Sequence, residues 1–204
     1  MSAPAQDSSS AWNLANALTV LRLLLVPVLG WLLLREGGAD AASRIGAFLI
    51  FSVAMVTDKI DGDLARRRGT VTDFGKIADP IADKALTGMA FIGLSLLGEL
   101  PWWVTVVVLV REIGVTVLRF AMLRYAVLPA GRGGKVKTAL QALALGLYLL
   151  PLPAGWHPVE AVTMGLAVAV TVGTGVDYVL QARRLTRTGA RAEAERIPPA
   201  GTAG

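Results

Sequence analysis

The chain has 204 residues, of which 54% are hydrophobic and only 17% are charged. A soluble globular domain carries about 25% charged residues, so this deficit, together with long apolar runs, indicates an integral membrane protein. The absence of cysteine and the single histidine exclude a thiolate or histidine-rich metal site. The net charge of +5 fits the basic cytoplasmic loops of a membrane protein better than nucleic-acid binding.

Six apolar segments follow one another along the chain, and each is predicted to form a membrane-spanning helix. They cover residues 16–34, 45–56, 77–97, 102–125, 138–152 and 159–180. The second segment is too short to cross a bilayer, since a span takes about 20 residues. Its helix must therefore continue through Asp58 and Asp61. The predicted fold is an all-α integral membrane protein with six transmembrane helices.

Composition also divides the chain into three parts. Residues 1–11 are small and polar and are predicted to be a disordered N-terminus. The six-helix transmembrane catalytic domain is assigned to residues 12–183. A basic, mostly disordered C-terminal tail is assigned to residues 184–204.

Basic residues predict the orientation in the membrane. Segments 66–76, 124–137 and 183–196 hold four, four and five lysine or arginine residues, and six spans place all three segments on one side. In the loops on the opposite side, the only lysine or arginine residues are Arg35 and Arg44. The positive-inside rule therefore predicts that the basic segments and both termini lie in the cytoplasm. The membrane is predicted to be the plasma membrane.

The stretch from Asp58 to Asp83, which begins after the second apolar segment and extends into the third, holds six of the 15 acidic residues. They are Asp58, Asp61, Asp63, Asp73, Asp79 and Asp83. Carboxylates bounded by membrane segments are costly, so they usually carry a function. At 100° per residue, Asp58 and Asp61 fall on one helical face, and Asp79 and Asp83 fall on one face of the next helix. These two acidic faces can converge.

Four convergent carboxylates need a cation, because they cannot all stay ionised alone. Oxygen-only ligands suit Mg²⁺ or Mn²⁺, and two ions are a natural number for four bridging carboxylates. Gly62 and Ala65 leave room for a bulky group, and Arg66 is suited to phosphate. The pattern predicts phosphoryl chemistry on a diphosphate, in which a carboxylate takes a proton from an attacking hydroxyl.

Two other interpretations of the acidic stretch stay open. One is a structural ion-pair cluster, with Lys59, Arg66, Lys76 and Lys84 as the partners of the acids. The other is a cation transporter that uses intramembrane carboxylates. Neither explains the fixed spacing of the glycines, including Gly75.

The acidic stretch resembles the signature of the CDP-alcohol phosphotransferases, Asp-x2-Asp-Gly-x2-Ala-Arg-x8-Gly-x3-Asp-x3-Asp. Every fixed position is present: Asp58, Asp61, Gly62, Ala65, Arg66, Gly75, Asp79 and Asp83. Four stretches are similar to the branch of the family that uses glycerol 3-phosphate: residues 13–22, 72–84, 111–119 and 134–138. The resemblance extends over about residues 12–183.

This resemblance implies transfer of the phosphatidyl group from CDP-diacylglycerol to glycerol 3-phosphate within the lipid bilayer, with release of CMP. It also implies a homodimer and two Mg²⁺ or Mn²⁺ ions held by Asp58, Asp61, Asp79 and Asp83, of which Asp83 is also the catalytic base. Phosphatidylglycerol and inositol phosphate stay open as alternative acceptors.

Substrate-binding residues follow from the same resemblance and from the charge of the acceptor. The residues expected to bind CDP-diacylglycerol are Asn16, Thr19, Gly62, Ala65, Arg66 and Thr72. The cations expected to bind the acceptor phosphate are Arg111, Arg119, Lys135 and Lys137. For Lys135 and Lys137, the positive-inside rule offers another explanation. Arg22, within the first helix, is compatible with binding phosphate or with snorkelling to the membrane surface.

Overall fold

A computed structural model describes residues 14–68, 73–122 and 132–196, and the side chains of residues 16–58, 78–121 and 133–185. These ranges contain six α-helices: α1 Leu14–Leu34, α2 Ala41–Arg68, α3 Asp73–Leu96, α4 Trp102–Met122, α5 Arg132–Leu149 and α6 His157–Arg196. Short 3-10 segments, Arg35–Gly38 and Ala154–Trp156, precede α2 and α6. No strand occurs in the described ranges, so the all-α prediction is confirmed.

The extent of one helix agrees with the prediction from the sequence, and two helices extend beyond their predicted segments. As expected, α2 continues past its apolar run, through Asp58 and Asp61 to Arg68. However, α5 begins at Arg132, before the apolar segment at Thr138. Likewise, α6 runs to Arg196 and so enters the segment assigned to a mostly disordered tail. The added turns of α6 are rich in alanine, arginine and glutamate, which favour helix without being apolar.

The connection between α1 and α2 is a tight reversal. Gly37 and Gly38 have positive φ angles of 65° and 78°, which glycine adopts without strain. The carboxylate of Asp40 then accepts hydrogen bonds from the backbone N–H groups of Ala42 and Ser43 and from the Ser43 hydroxyl, which caps the start of α2. These bonds from Ser43 lower the pKa of Asp40 below its usual value.

The core is a single apolar cluster where the helices meet. α1 packs against α2 and α3, and α6 packs against α4 and α5. In the described part of the chain, the largest fully buried apolar side chains are Leu29, Leu33, Phe51, Leu86, Phe91, Leu94, Leu100, Leu145 and Leu149. Gly93 on α3 lets α1 approach closely, because a Cβ atom at Gly93 would lie 2.5 Å from Cδ2 of Leu33.

The outer surface is unusually apolar. Large side chains such as Leu24, Val110 and Trp103 are more than half exposed, and many others share this exposure. Soluble monomers rarely expose such continuous apolar area, whereas a lipid-facing surface requires it. By length and composition, three stretches can cross a membrane: Asn16–Gly38, Ala41–Asp58 and Ala154–Leu185. These are the features of an integral membrane protein.

The remaining helices, α3, α4 and α5, are not among the three stretches that meet this criterion. Each carries several charged residues, such as Asp83 on α3, Arg111 on α4 and Lys137 near the start of α5. Six membrane crossings, and the side on which the termini lie, stay predictions.

An ion pair ties helices together at the end of the bundle away from the acidic stretch. Arg44, which is 5% exposed, donates to both carboxylate oxygens of Glu99. It also donates to the backbone carbonyls of Tyr148 and Leu149. This contact joins the start of α2, the turn before α4 and the end of α5.

Candidate active site

One face of α1 is polar and buried. Asn16, Thr19 and Arg22 are 3%, 2% and 4% exposed, and their three-residue spacing places them on the same side of the helix. Polar side chains inside such an apolar helix need partners. This face is directed at the acidic parts of α2 and α3.

Thr19 and Arg22 contact two of the predicted metal-binding aspartates. Nη1 of Arg22 lies 2.6 Å from Oδ1 of Asp58 on α2. The hydroxyl of Thr19 donates to Oδ1 of Asp79 on α3. The acidic helices α2 and α3 therefore meet on the polar face of α1.

Asp83, the predicted base, lies on α3 one turn after Asp79. Its side chain is partly buried, and the charges of Asp58, Lys137 and Glu112 act on it. Asp83 is therefore coupled electrostatically to Asp58 on α2, to Glu112 on α4 and to Lys137 on α5.

The described carboxylates suit the predicted ions in chemical type. Asp58, Asp79 and Asp83 offer only carboxylate oxygens, which are the ligands that Mg²⁺ and Mn²⁺ prefer. Among the side chains that the structure describes, no three of histidine, aspartate or glutamate come close enough to share one metal ion. The side chain of Asp61 lies outside that part of the chain. Metal binding therefore stays a prediction.

The predicted CDP-diacylglycerol residues are only partly described. Asn16 and Thr19 lie on the polar face of α1. Gly62, Ala65 and Arg66 lie on α2, but their side chains are outside the described residues. Thr72 is outside them altogether.

Two of the four predicted acceptor cations converge on one carboxylate oxygen. Nη1 of Arg111 and Nζ of Lys137 lie 3.0 Å and 2.6 Å from Oε1 of Glu112. All three side chains are at least four-fifths buried. Arg111 also donates to the carbonyl of Thr171 and to the hydroxyl of Thr174, so α4, α5 and α6 are all joined here.

The other two predicted acceptor cations, Arg119 and Lys135, differ in their surroundings. Arg119 donates to the hydroxyl of Tyr178, and its guanidinium lies 4.9 Å from the centre of that ring. Arg111 approaches the same ring at 5.9 Å, so Tyr178 links the two arginines. Lys135 is exposed and makes no ion pair in the described part of the chain.

Several residues of this cluster were missed by reasoning from the sequence. Glu112 was not predicted to be a site residue, although it lies in the stretch 111–119 that resembles the family, and Thr171, Thr174 and Tyr178 were not singled out. The signal that was available is their spacing, because positions three and four apart share a helical face. A polar face inside the otherwise apolar α6 would have indicated contact with buried charges.

A small pocket lies beside this cluster, between α3, α4 and α5. Its volume is about 160 Å³, and its polar lining comprises Lys84, Thr87, Glu112 and Gln141. At roughly 30 Å³ per water molecule, this space suits a small molecule rather than a nucleotide.

Comparison with known proteins decides the family. The sequence profile described as CDP-alcohol phosphatidyltransferase matches residues 12–173. The chain belongs to this family. The resemblance seen in the acidic stretch is therefore confirmed.

Named relatives agree with this assignment. The chain is 55% identical over 172 residues to a probable phosphatidylglycerophosphate synthase of Mycobacterium tuberculosis, covering 84% of this chain and 82% of the relative. It is 33% identical to the CDP-diacylglycerol–glycerol-3-phosphate 3-phosphatidyltransferase of Bacillus subtilis, covering 82% of this chain and 93% of the relative. A cardiolipin synthase (CMP-forming) of Streptomyces coelicolor is 34% identical, covering 89% and 87%. The CDP-alcohol phosphatidyltransferase described here is thus a transferase of phospholipid biosynthesis.

Proposed function

We propose that this enzyme transfers the phosphatidyl group of CDP-diacylglycerol to glycerol 3-phosphate, which yields phosphatidylglycerophosphate and CMP. The observation that carries the proposal is the convergence of Arg111 and Lys137 on the carboxylate of Glu112, together with the charges of Lys137 and Glu112 that act on Asp83. An acceptor with its own phosphate group needs buried cations close to the base that activates its hydroxyl. Relatives that bear the names of this activity support the same acceptor.

In the proposed reaction, a hydroxyl of glycerol 3-phosphate attacks the phosphorus that carries diacylglycerol. A new P–O bond forms, the bond from this phosphorus to the bridging oxygen breaks, and CMP leaves with that oxygen. The carboxylate of Asp83 takes the proton of the attacking hydroxyl. Arg111, Lys137 and Arg119 orient the acceptor phosphate, and the exposed Lys135 adds only a weak, solvent-screened attraction for it.

Asp58, Asp61, Asp79 and Asp83 would hold two Mg²⁺ or Mn²⁺ ions. When bound, such ions neutralise the diphosphate and stabilise the leaving group. The residues proposed to line the site for the nucleotide and diphosphate are Asn16, Thr19, Gly62, Ala65, Arg66 and Thr72.

We place the site at the cytoplasmic face of the plasma membrane, in a homodimer. The basic ends of α2, α5 and α6 support the orientation through the positive-inside rule. A site at this boundary is accessible both to a lipid donor and to a soluble acceptor.

An acceptor comparison tests the proposed function. Purified protein in vesicles that contain CDP-diacylglycerol is given Mn²⁺ and either glycerol 3-phosphate, inositol phosphate or phosphatidylglycerol. The expected result is CMP release and a new lipid only with glycerol 3-phosphate. A faster reaction with phosphatidylglycerol would instead assign a cardiolipin synthase, the second candidate that the Streptomyces coelicolor relative favours.

Changing Asp83 to Asn tests the role of the base. The amide keeps the shape of the side chain but cannot take the proton, so the rate of CMP release should fall by about 100-fold or more. Asp177→Asn is the matched control, because Asp177 is exposed on α6 and accepts a hydrogen bond from Gln181, one turn away on the same helix. A folded Asp83→Asn variant with the wild-type rate would contradict the assignment.

A further inference from the structure

Arg22 is the most deeply buried charge at the acidic face. It is 4% exposed, lies within a helix that can span the membrane, and pairs with Asp58 at 2.6 Å. Its guanidinium cannot lose its charge under ordinary conditions, so it always needs an anion. Neither the family signature nor the roles assigned above include this residue.

The hydrogen bonding of Arg22 is incomplete. Its Nε is buried and has no hydrogen-bond partner in the described part of the chain. A buried donor without an acceptor costs free energy, and native structures seldom retain one. The guanidinium therefore has a donor to spare for an acceptor oxygen beyond Asp58.

Asp58 is also a predicted metal ligand, so Arg22 and a divalent ion compete for it. Arg22 Nη1 already contacts Oδ1 of Asp58. An ion bound to this carboxylate would repel the guanidinium and weaken the ion pair. The displaced guanidinium, still buried, would then require another anion, and the diphosphate of the donor is the anion that the reaction brings to this site.

We propose that Arg22 is an exchangeable counter-ion, which holds Asp58 while the divalent ion is absent and turns to a diphosphate oxygen of the nucleotide once the ion is bound. This inference rests on the proposed two-ion site. The planar fork of an arginine can contact a carboxylate or a phosphate in the same manner, so the exchange needs rotation of the side chain and no refolding. Arg22 would thereby make nucleotide binding dependent on prior metal binding.

The exchange predicts effects of opposite sign for Arg22→Gln. Loss of the competing charge should strengthen Mn²⁺ binding at Asp58, by about threefold or more. Loss of the phosphate donor should weaken CDP binding at saturating Mn²⁺, by about tenfold or more. An ion pair with a purely structural role would weaken both, because Asp58 would lose its support.

The experiment uses the full chain in nanodiscs. Mn²⁺ binding is measured by electron paramagnetic resonance without nucleotide, and CDP binding is measured by calorimetry at saturating Mn²⁺. Arg35→Gln removes an exposed arginine just beyond α1 and should change neither affinity. Arg22→Lys keeps the charge without the fork, so it should leave Mn²⁺ binding close to wild type and weaken CDP binding.

The outcomes separate the inference from the proposed function. Stronger Mn²⁺ binding with weaker CDP binding in Arg22→Gln supports the exchange. Unchanged or weaker Mn²⁺ binding in a folded Arg22→Gln variant overturns the exchange. If Arg22→Gln fails to fold, CDP binding as strong as wild type in Arg22→Lys overturns it. A wild-type protein that binds no Mn²⁺ would overturn the two-ion site itself.

Discussion

At the scale of single residues, Glu112 holds two of the four predicted acceptor cations in place. Arg111 and Lys137 both donate to one oxygen of this carboxylate, in a region that is largely buried. Two buried cations close together would repel each other without such an anion. Glu112 therefore keeps the two cations near each other, and in the proposed function an arriving acceptor phosphate would take over some of their hydrogen bonds.

Lys137 and Lys135 form a matched pair for testing this arrangement. Lys137→Met should raise the KM for glycerol 3-phosphate by about 30-fold or more, because a desolvated charge pair is lost. Lys135 is exposed, so Lys135→Met should change the KM by less than about threefold. Initial rates of CMP release against acceptor concentration measure both. Equal effects in the two variants would contradict the placement of Lys137 in the acceptor site.

The sequence predicted individual residues better than their partners. The spacing of Asp58, Asp79 and Asp83 is a property of the sequence, so it could be recognised without knowledge of the fold. The pairing of Arg22 with Asp58 could not, because it depends on how α1 is rotated against α2 across a large separation in sequence. The contact of Lys137 with Glu112 depends in the same way on the packing of α4 against α5.

At the scale of whole helices, the packing of α1 against α3 brings residues of the site into contact. Thr19 lies on α1, and Asp79 lies on α3. Close approach is possible where Gly93 faces Leu33. A small residue at such a contact lets two membrane helices pack tightly. The spacing of the helices, and hence the contact between Thr19 and Asp79, depends on the absence of a side chain at Gly93.

Gly93→Val tests this contact. The new side chain would clash with Leu33, which is fully buried, so the free energy of unfolding should fall by about 1–3 kcal/mol. Gly114→Val is the control, because no atom lies within 4 Å of a Cβ at that exposed position. Unfolding of both variants in detergent by a denaturant measures the difference. Equal stability would contradict close packing at Gly93.

Membrane spans were predicted from apolar runs, and this is why two helices continue beyond their predicted spans. Residues before Thr138 on α5 and after Leu180 on α6 are charged or small, so they do not extend an apolar run. Lysine, arginine, alanine and glutamate nevertheless favour helix, and the helices continue through them. Apolarity locates the part of a helix that faces lipid, whereas propensity decides where the helix ends.

The orientation of the whole molecule can be tested because the chain has no cysteine. Ala154→Cys and Leu185→Cys each place a single thiol at an exposed position, at opposite ends of the stretch Ala154–Leu185 that can cross a membrane. A membrane-impermeant maleimide should label Ala154→Cys in intact cells and Leu185→Cys only after permeabilisation, since the basic end of α6 is expected in the cytoplasm. The reverse pattern would invert the proposed topology and place the site outside the cell.

The ion pair between Arg44 and Glu99 has a consequence for how the lipid donor reaches the site. In the proposed function, a lipid with two acyl chains would approach from the side and would need access between neighbouring helices. Arg44 is 5% exposed and donates to Glu99 and to two carbonyls of α5, so these contacts oppose separation of α2 and α5 at that end. We therefore expect the donor to enter at the opposite end of the bundle, where the aspartates lie.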